Sequence, residues 1–195
     1  MLEHATTLVQ ENGWENLTMV EVARCAGVSR QLVYQHFHSL EGLALEIVAT
    51  FRDHVNEAVL AGIRRHPDDF GAAIRETLST YFVGLEDERL IFTDLIAGHW
   101  APPTLVPALK GMAQEHRAGL IKIWTRYYQR VTDLSATQAR ALSSFKHDTL
   151  SGLNRLVITG QLGPEEAICF FIDVMQGAIE HFRRKAVDRS SPTRR

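Results

Sequence analysis

Arg30, Gln31, Tyr34, Gln35 and His36 crowd one short stretch of the chain, and each can hydrogen-bond to a nucleic acid. A guanidinium can pair both major-groove acceptors of guanine, and a carboxamide can pair adenine in the same way. Phenol and imidazole groups serve base edges and phosphate oxygens alike. Such chemistry needs a stiff element to carry it into a groove, and the sequence around it, TMVEVARCAGVSRQLVYQHF over 18–37, supplies one. Thr18 caps a first helix, with Glu21 three residues on as its capping-box partner. Met19, Val22, Ala23 and Ala26 make an apolar stripe at helical spacing. Gly27 ends that helix in the left-handed backbone region. Val28 plugs the angle, and Ser29 caps a second helix that carries Leu32, Val33 and Phe37 inward. Arg30 and Gln31 then fall in the first turn, nearest the groove floor in helix-turn-helix docking, with Gln35 as a third base contact. Thr18 and Ser39 head helices whose free N–H groups can face phosphates.

The other reactive side chains form weaker patterns. His36 and His38 are two residues apart, which puts them on different faces of a helix, and no further ligand follows at zinc spacing. A metal is therefore not expected. His147-Asp148 and Asp53-His54 are adjacent pairs whose side chains diverge on a helix. No Ser/His/Asp set, paired carboxylates or Gly-rich phosphate loop is present, so no catalytic residue and no cofactor is assigned.

The remaining sequence must fold around this element. With 195 residues, 45% of them hydrophobic, the chain can bury a full core. No apolar run approaches the ~18 residues of a membrane span, and MLEHATT lacks the basic and apolar regions of a signal peptide. Cys25 and Cys169 sit in unrelated helical contexts, which fits a reducing cytosol. A cytoplasmic protein that does not engage membranes is expected.

The periodicity predicts an all-α chain. Helices are expected over about 2–12, over the two short segments of 18–37, and from Ser39 to about Arg65, where Leu43, Ile47, Phe51, Val55 and Val59 recur at three-to-four spacing before Pro67. Further helices are expected over 69–84 and 88–98, then, after a bend at the prolines of 101–107, to about Val131. Ser135 and Gln138 form a capping box for a helix reaching about Thr159. Pro164 opens a last helix to about Ala186, with Glu165 and Glu166 at its positive end. The tail DRSSPTRR is expected to be disordered. Three helices make a head and about six make a body, with a boundary between 1–45 and 46–195.

LVQENGW, LTMVEVARCAGVS and LVYQHFHSLEGL, within residues 1–47, resemble the N-terminal DNA-binding domain of the tetracycline-repressor-like (TetR) family of bacterial regulators. Gly13-Trp14, Ala26 to Ser29, Tyr34, His36, Phe37 and Ser39 carry the resemblance. It implies a ligand-responsive homodimeric transcriptional regulator, a repressor reading a palindromic operator of double-stranded DNA, in which Tyr34 and His36 reach phosphates. It also implies a pocket for a small, mostly apolar effector between the middle helices. Candidate linings are Phe82, Phe92, His99, Trp100, Met112, Trp124, Tyr127, Tyr128, His147 and Asp148. Two apolar helices from each subunit would form a four-helix bundle across a two-fold axis. Its candidate contacts are Phe145, Thr149, Gly152, Leu153 and Leu156 on one helix, and Ile168, Phe171, Ile172, Met175, Ile179 and Phe182 on the other. Packing of both stripes on their own body is the alternative.

Charge supports a second reading. In residues 1–50 two arginines face six glutamates, a net of −4, although phosphate neutralisation supplies most non-specific DNA affinity. Leu40 stands where family members commonly have a phosphate-contacting lysine, and no basic arm precedes the first helix; such an arm could lie upstream of Met1. The alternative is a helical small-molecule-binding protein whose DNA-binding head is weak or non-functional.

Overall fold

The computed structural model describes residues 1–97 and 100–190. Among them lie nine α-helices and no strand: α1 (Leu2–Asn12), α2 (Met19–Ala26), α3 (Arg30–Phe37), α4 (Leu40–Arg65), α5 (Phe70–Ser79), α6 (Glu86–Ala97), α7 (Val106–Val131), α8 (Ala136–Ile158) and α9 (Pro164–Ser190). Turns with 3₁₀ geometry at Trp14–Asn16 and π geometry at Thr80–Gly84 complete the regular structure. No helix among the described residues is long and apolar enough to cross a membrane.

Local chemistry sets most boundaries. Asp69 caps α5 by accepting from the Ala72 amide, and the Ser135–Gln138 capping box forms in both directions. Gly163 donates to Glu166 at the head of α9. The last helix continues to Ser190, so 188–190 of the expected disordered tail are helical, and 191–195 lie outside the described residues.

Two compact units result, residues 1–55 with 85–114, and 56–84 with 115–195. The core of the first joins Ala5, Val9, Trp14, Val22, Val33, Phe37, Leu43 and Ile47 to Ile91, Leu95 and Leu105. The head is therefore not sealed by its own three helices: the Trp14 indole is 1% exposed and its Nε1 donates to the Ile91 carbonyl of α6, 3.0 Å away. This bond satisfies a buried donor that would otherwise cost roughly 1–3 kcal/mol.

The core of the second unit gathers Val59, Ile74, Leu78, Phe82, Trp124, Tyr128, Ile168, Phe171 and Met175. Here α4 and α5 approach closely, since a Cβ on Gly62 would lie 2.8 Å from the Ala73 carbonyl oxygen. Within this core Lys146 is 6% exposed. Its Nζ sits 3.7 Å from the centre of the Trp124 ring, and burial pushes its ammonium down to about 7. The buried Trp124 Nε1 and Tyr128 hydroxyl have no hydrogen-bond partner among the described residues.

The apolar stripe of α9 resolves in favour of its own chain. Ile168, Phe171, Ile172, Met175 and Ile179, with Leu153 of α8, are buried inside the second unit, and Phe182 packs partly against the same core. These side chains pack on their own chain, the alternative that the sequence left open beside a dimer surface. The periodicity showed an apolar face, and α5 is among the helices that cover it. What stays open is most of the expected α8 set, joined by Phe170 and Gly177 of α9. Phe145 and Phe170 are exposed, a Cβ added at Gly152 or Gly177 would meet nothing within 4 Å, and Thr149 and Leu156 are half-buried.

Candidate nucleic-acid interface

The turn between α2 and α3 is built as its residues demand. The Thr18 hydroxyl accepts from the Glu21 amide at 3.2 Å, while the Glu21 carboxylate takes Arg24 at 2.8 Å. Gly27 sits at φ 66°, and its neighbour Val28 donates to the Ala23 carbonyl. The Ser29 hydroxyl accepts from the Leu32 amide, 3.2 Å away. Val33 and Phe37 anchor α3 in the core.

Arg30, Gln31, Tyr34, Gln35 and His36 all face solvent on α3, so the structure brings these five together on one helix. Leu32 does not turn inward. It is 44% exposed, because the inward arc of this two-turn helix is filled by Val33 and Phe37, which leaves an aliphatic side chain among the polar ones. Arg30 has no ion-pair or hydrogen-bond partner among the described residues, whereas the ring of His36 lies 3.9 Å from Glu46. The acidity of the N-terminal region lies elsewhere: α3 contains no Asp or Glu, and the six glutamates sit on α1, the Trp14 turn, α2 and α4.

The end of α3 is sharply made. His38 adopts φ 63°, ψ −42°, and the Ser39 amide donates to the Phe37 carbonyl at 2.7 Å, a γ-turn that L residues adopt only under strain. Ser39 then accepts from the Gly42 amide at 3.1 Å and heads α4. A Cβ at Gly42 would fall 2.2 Å from the Phe37 carbonyl oxygen, so the first turn of α4 lies directly on the last turn of α3. Nothing in the sequence marks this close approach, which depends on how α4 sits against α3.

The ligand-lining candidates separate. Phe82, Trp124, Tyr127 and Tyr128 are buried in the core of the second unit. The Tyr127 hydroxyl donates to the His66 carbonyl at 2.7 Å, and burial pushes its pKa up to about 12. His147 is half-buried and held below the usual imidazole range by burial and by the Arg117 and Lys146 charges. Asp148 is exposed and accepts from Nε and Nη2 of Arg117. Trp100, its ring 5.2 Å from that of Trp14, and Met112 pack on the core of the first unit. His99 lies outside the described residues. Phe92 is the member of this set that lines a cavity of about 270 Å³ in the first unit, with Trp14, Ile47, Phe51 and Ile91. No pattern in the sequence pointed to that cavity, whose walls come from α1, the turn at Trp14, α4 and α6.

Residues 1–47 match the family model of bacterial regulatory proteins, tetR family. The HTH-type transcriptional regulator AlkX of Mycobacterium tuberculosis is 28% identical over 105 residues, 54% of this chain and 49% of that protein, so the match spans about half of the relative's length. Among solved structures, a transcriptional regulator from Rhodococcus sp. Rha1 superposes with a TM-score of 0.72 at 17% identity, over 91% of this chain and 92% of that one. NalD, the secondary repressor of the MexAB-OprM multidrug efflux pump in Pseudomonas aeruginosa, gives 0.64 at 19% identity, again over 91% and 92%. At these identities the structural likeness speaks for the fold.

Proposed function

We propose, from the tetR-family match of residues 1–47 and the all-helical fold it shares with solved regulators, that this chain is a ligand-responsive homodimeric repressor of a palindromic operator. The observation that carries the reading is the solvent face of α3, which presents an unpaired arginine, two glutamines, a tyrosine and a histidine without a single acid. Arg30 and Gln31 would read base edges, with Gln35 beside them, while Tyr34, His36 and the helix heads at Thr18 and Ser39 would hold phosphates. Residues 1–45 would do the binding and 46–195 the sensing and pairing. Dimerisation would use the open face of α8 and α9, with Phe145, Thr149, Gly152 and Leu156 opposite Phe170 and Gly177. The effector would act on α4, whose first turn supports α3. A hundredfold loss of operator affinity requires about 2.7 kcal/mol of difference in the effector's affinity for two conformations.

Selection of random duplexes by the purified protein tests the reading. An enriched inverted repeat is expected, with affinity falling steeply in salt. Arg30→Ala should lose about 1–3 kcal/mol at one base position of that repeat, whereas Tyr34→Phe should weaken all sequences alike. If no sequence is enriched, the head does not read DNA and the chain is a helical small-molecule-binding protein.

The exposed Leu32 adds an expectation of its own. An aliphatic group in the major groove can contact the thymine methyl, and burying one methyl contributes about 0.8 kcal/mol, roughly fourfold in affinity. Replacing operator thymines one at a time by deoxyuridine should weaken the parent about fourfold at one position and leave Leu32→Ala indifferent there. Equal responses of both proteins at every position would remove Leu32 from the reading face.

A further inference from the structure

The cavity in the first unit has walls and charges that choose a ligand class. Its apolar surface comes from Trp14, Ile47, Phe51, Ile91 and Phe92, with Phe51 and Phe92 rings 5.2 Å apart. Three threonines line it, yet each hydroxyl is already bonded to its own helix: Thr6 to the Leu2 carbonyl, Thr7 to Glu3 and Thr50 to Glu46. They therefore offer methyl groups more than donors. The Trp14 Nε1 is likewise committed, to the Ile91 carbonyl. The ionisable lining residues are Glu3, His54 and Glu88, with His54 Nδ1 2.8 Å from Glu88 Oε2, and there is no lysine or arginine among them. Two carboxylates and one imidazole at the edge of an apolar cavity disfavour an anion and stabilise a cation. The volume, about 270 Å³, lies just below the range of drug-sized pockets.

We infer that this cavity binds a compact amphipathic amine, its ring or chain against Trp14, Phe51 and Phe92 and its ammonium beside Glu88 and Glu3. Binding follows from the lining alone; its consequence for DNA rests on the regulator reading above. An occupant there would touch α1, α4 and α6, and α1 with Trp14 belongs to the same core that anchors α3 through Val33 and Phe37. The ligand thus has a route to the reading helix through packed side chains of one compact unit.

Titration calorimetry on the full chain at neutral pH tests this with tryptamine, a cation, and indole-3-acetate, an anion with the same ring system. Tryptamine is expected to bind at least tenfold more tightly. Glu88→Gln, a partly exposed position whose amide can still meet His54, should weaken tryptamine about tenfold and narrow the gap between the probes. Thr6→Phe, which fills the space, should abolish binding of both; circular dichroism verifies its helix content, and Glu88→Gln decides the matter if that variant does not fold. Indole-3-acetate binding as tightly as tryptamine, no measurable binding of tryptamine, or indifference to Glu88→Gln would each overturn the inference. Operator affinity of the same proteins without probe reports on the regulator reading separately. Tryptamine binding by a chain that selects no DNA sequence would sink that reading and leave the cavity assignment standing.

Discussion

Lys146→Met is expected to stabilise the protein by roughly 2–4 kcal/mol at neutral pH and below. The ammonium of Lys146 is buried in the second core with no carboxylate paired to it among the described residues, and burial lowers its pKa from 10.5 to about 7. One pKa unit corresponds to about 1.4 kcal/mol, and the contact with the Trp124 face returns part of that cost, on the order of 1–2 kcal/mol. The sign over pH follows from the depressed value. Between about pH 7 and 10.5 the unfolded chain holds a proton that the folded chain has released, so stability from this group rises with pH across that window. Below it both states are protonated and the full penalty applies. The advantage of Lys146→Met should therefore be constant in acid and shrink toward zero near pH 10.5. Urea unfolding of parent and variant at a series of pH values measures the difference directly. A destabilised variant, or an advantage that does not change between pH 7 and pH 10, would mean that Lys146 is paired or hydrated in the folded protein.

The second large effect is expected at Gly42. A methyl group there would meet the Phe37 carbonyl oxygen at 2.2 Å, and that atom is backbone, already accepting from the Ser39 amide. The clash cannot be relieved by turning a side chain. It has to move α4 away from α3, for a cost of about 3 kcal/mol, the upper end of what overpacking imposes. Because the moving joint ends α3, the helix proposed to read DNA, Gly42→Ala should also lose operator affinity. Gly27→Ala is the informative control. That glycine has φ 66° and nothing within 4 Å, so only the left-handed backbone is penalised, for about 1 kcal/mol. Denaturant midpoints and operator titrations of the two variants should differ accordingly. If Gly42→Ala proves as stable as Gly27→Ala, the close approach of the two helices is not present in solution.

Much of what is decided within one helical turn was legible before the fold, although the γ-turn at His38 was not. The caps at Thr18, Ser29, Ser39 and Ser135, the left-handed Gly27 and the start of α9 at Pro164 each depend on atoms at most four residues apart. For the same reason the outward set of α3 could be named, since five polar side chains in an eight-residue helix leave little choice of face. Helical periodicity says that a face is apolar, but it does not say what covers it. Only packing turned the α9 stripe toward its own core, left Leu32 outside because Val33 and Phe37 had filled the inward arc, and buried Lys146 against Trp124. The same holds for Trp14, whose hydrogen bond reaches Ile91 across 77 residues of sequence, and for the cavity beside it, whose other walls come from three helices far apart in the chain. The order of residues was enough for the helices, their capped starts and the polar face of α3, because these are local. Which apolar surfaces meet, which charge loses its water and where a small molecule fits were settled by folding, because each depends on residues that are distant along the chain.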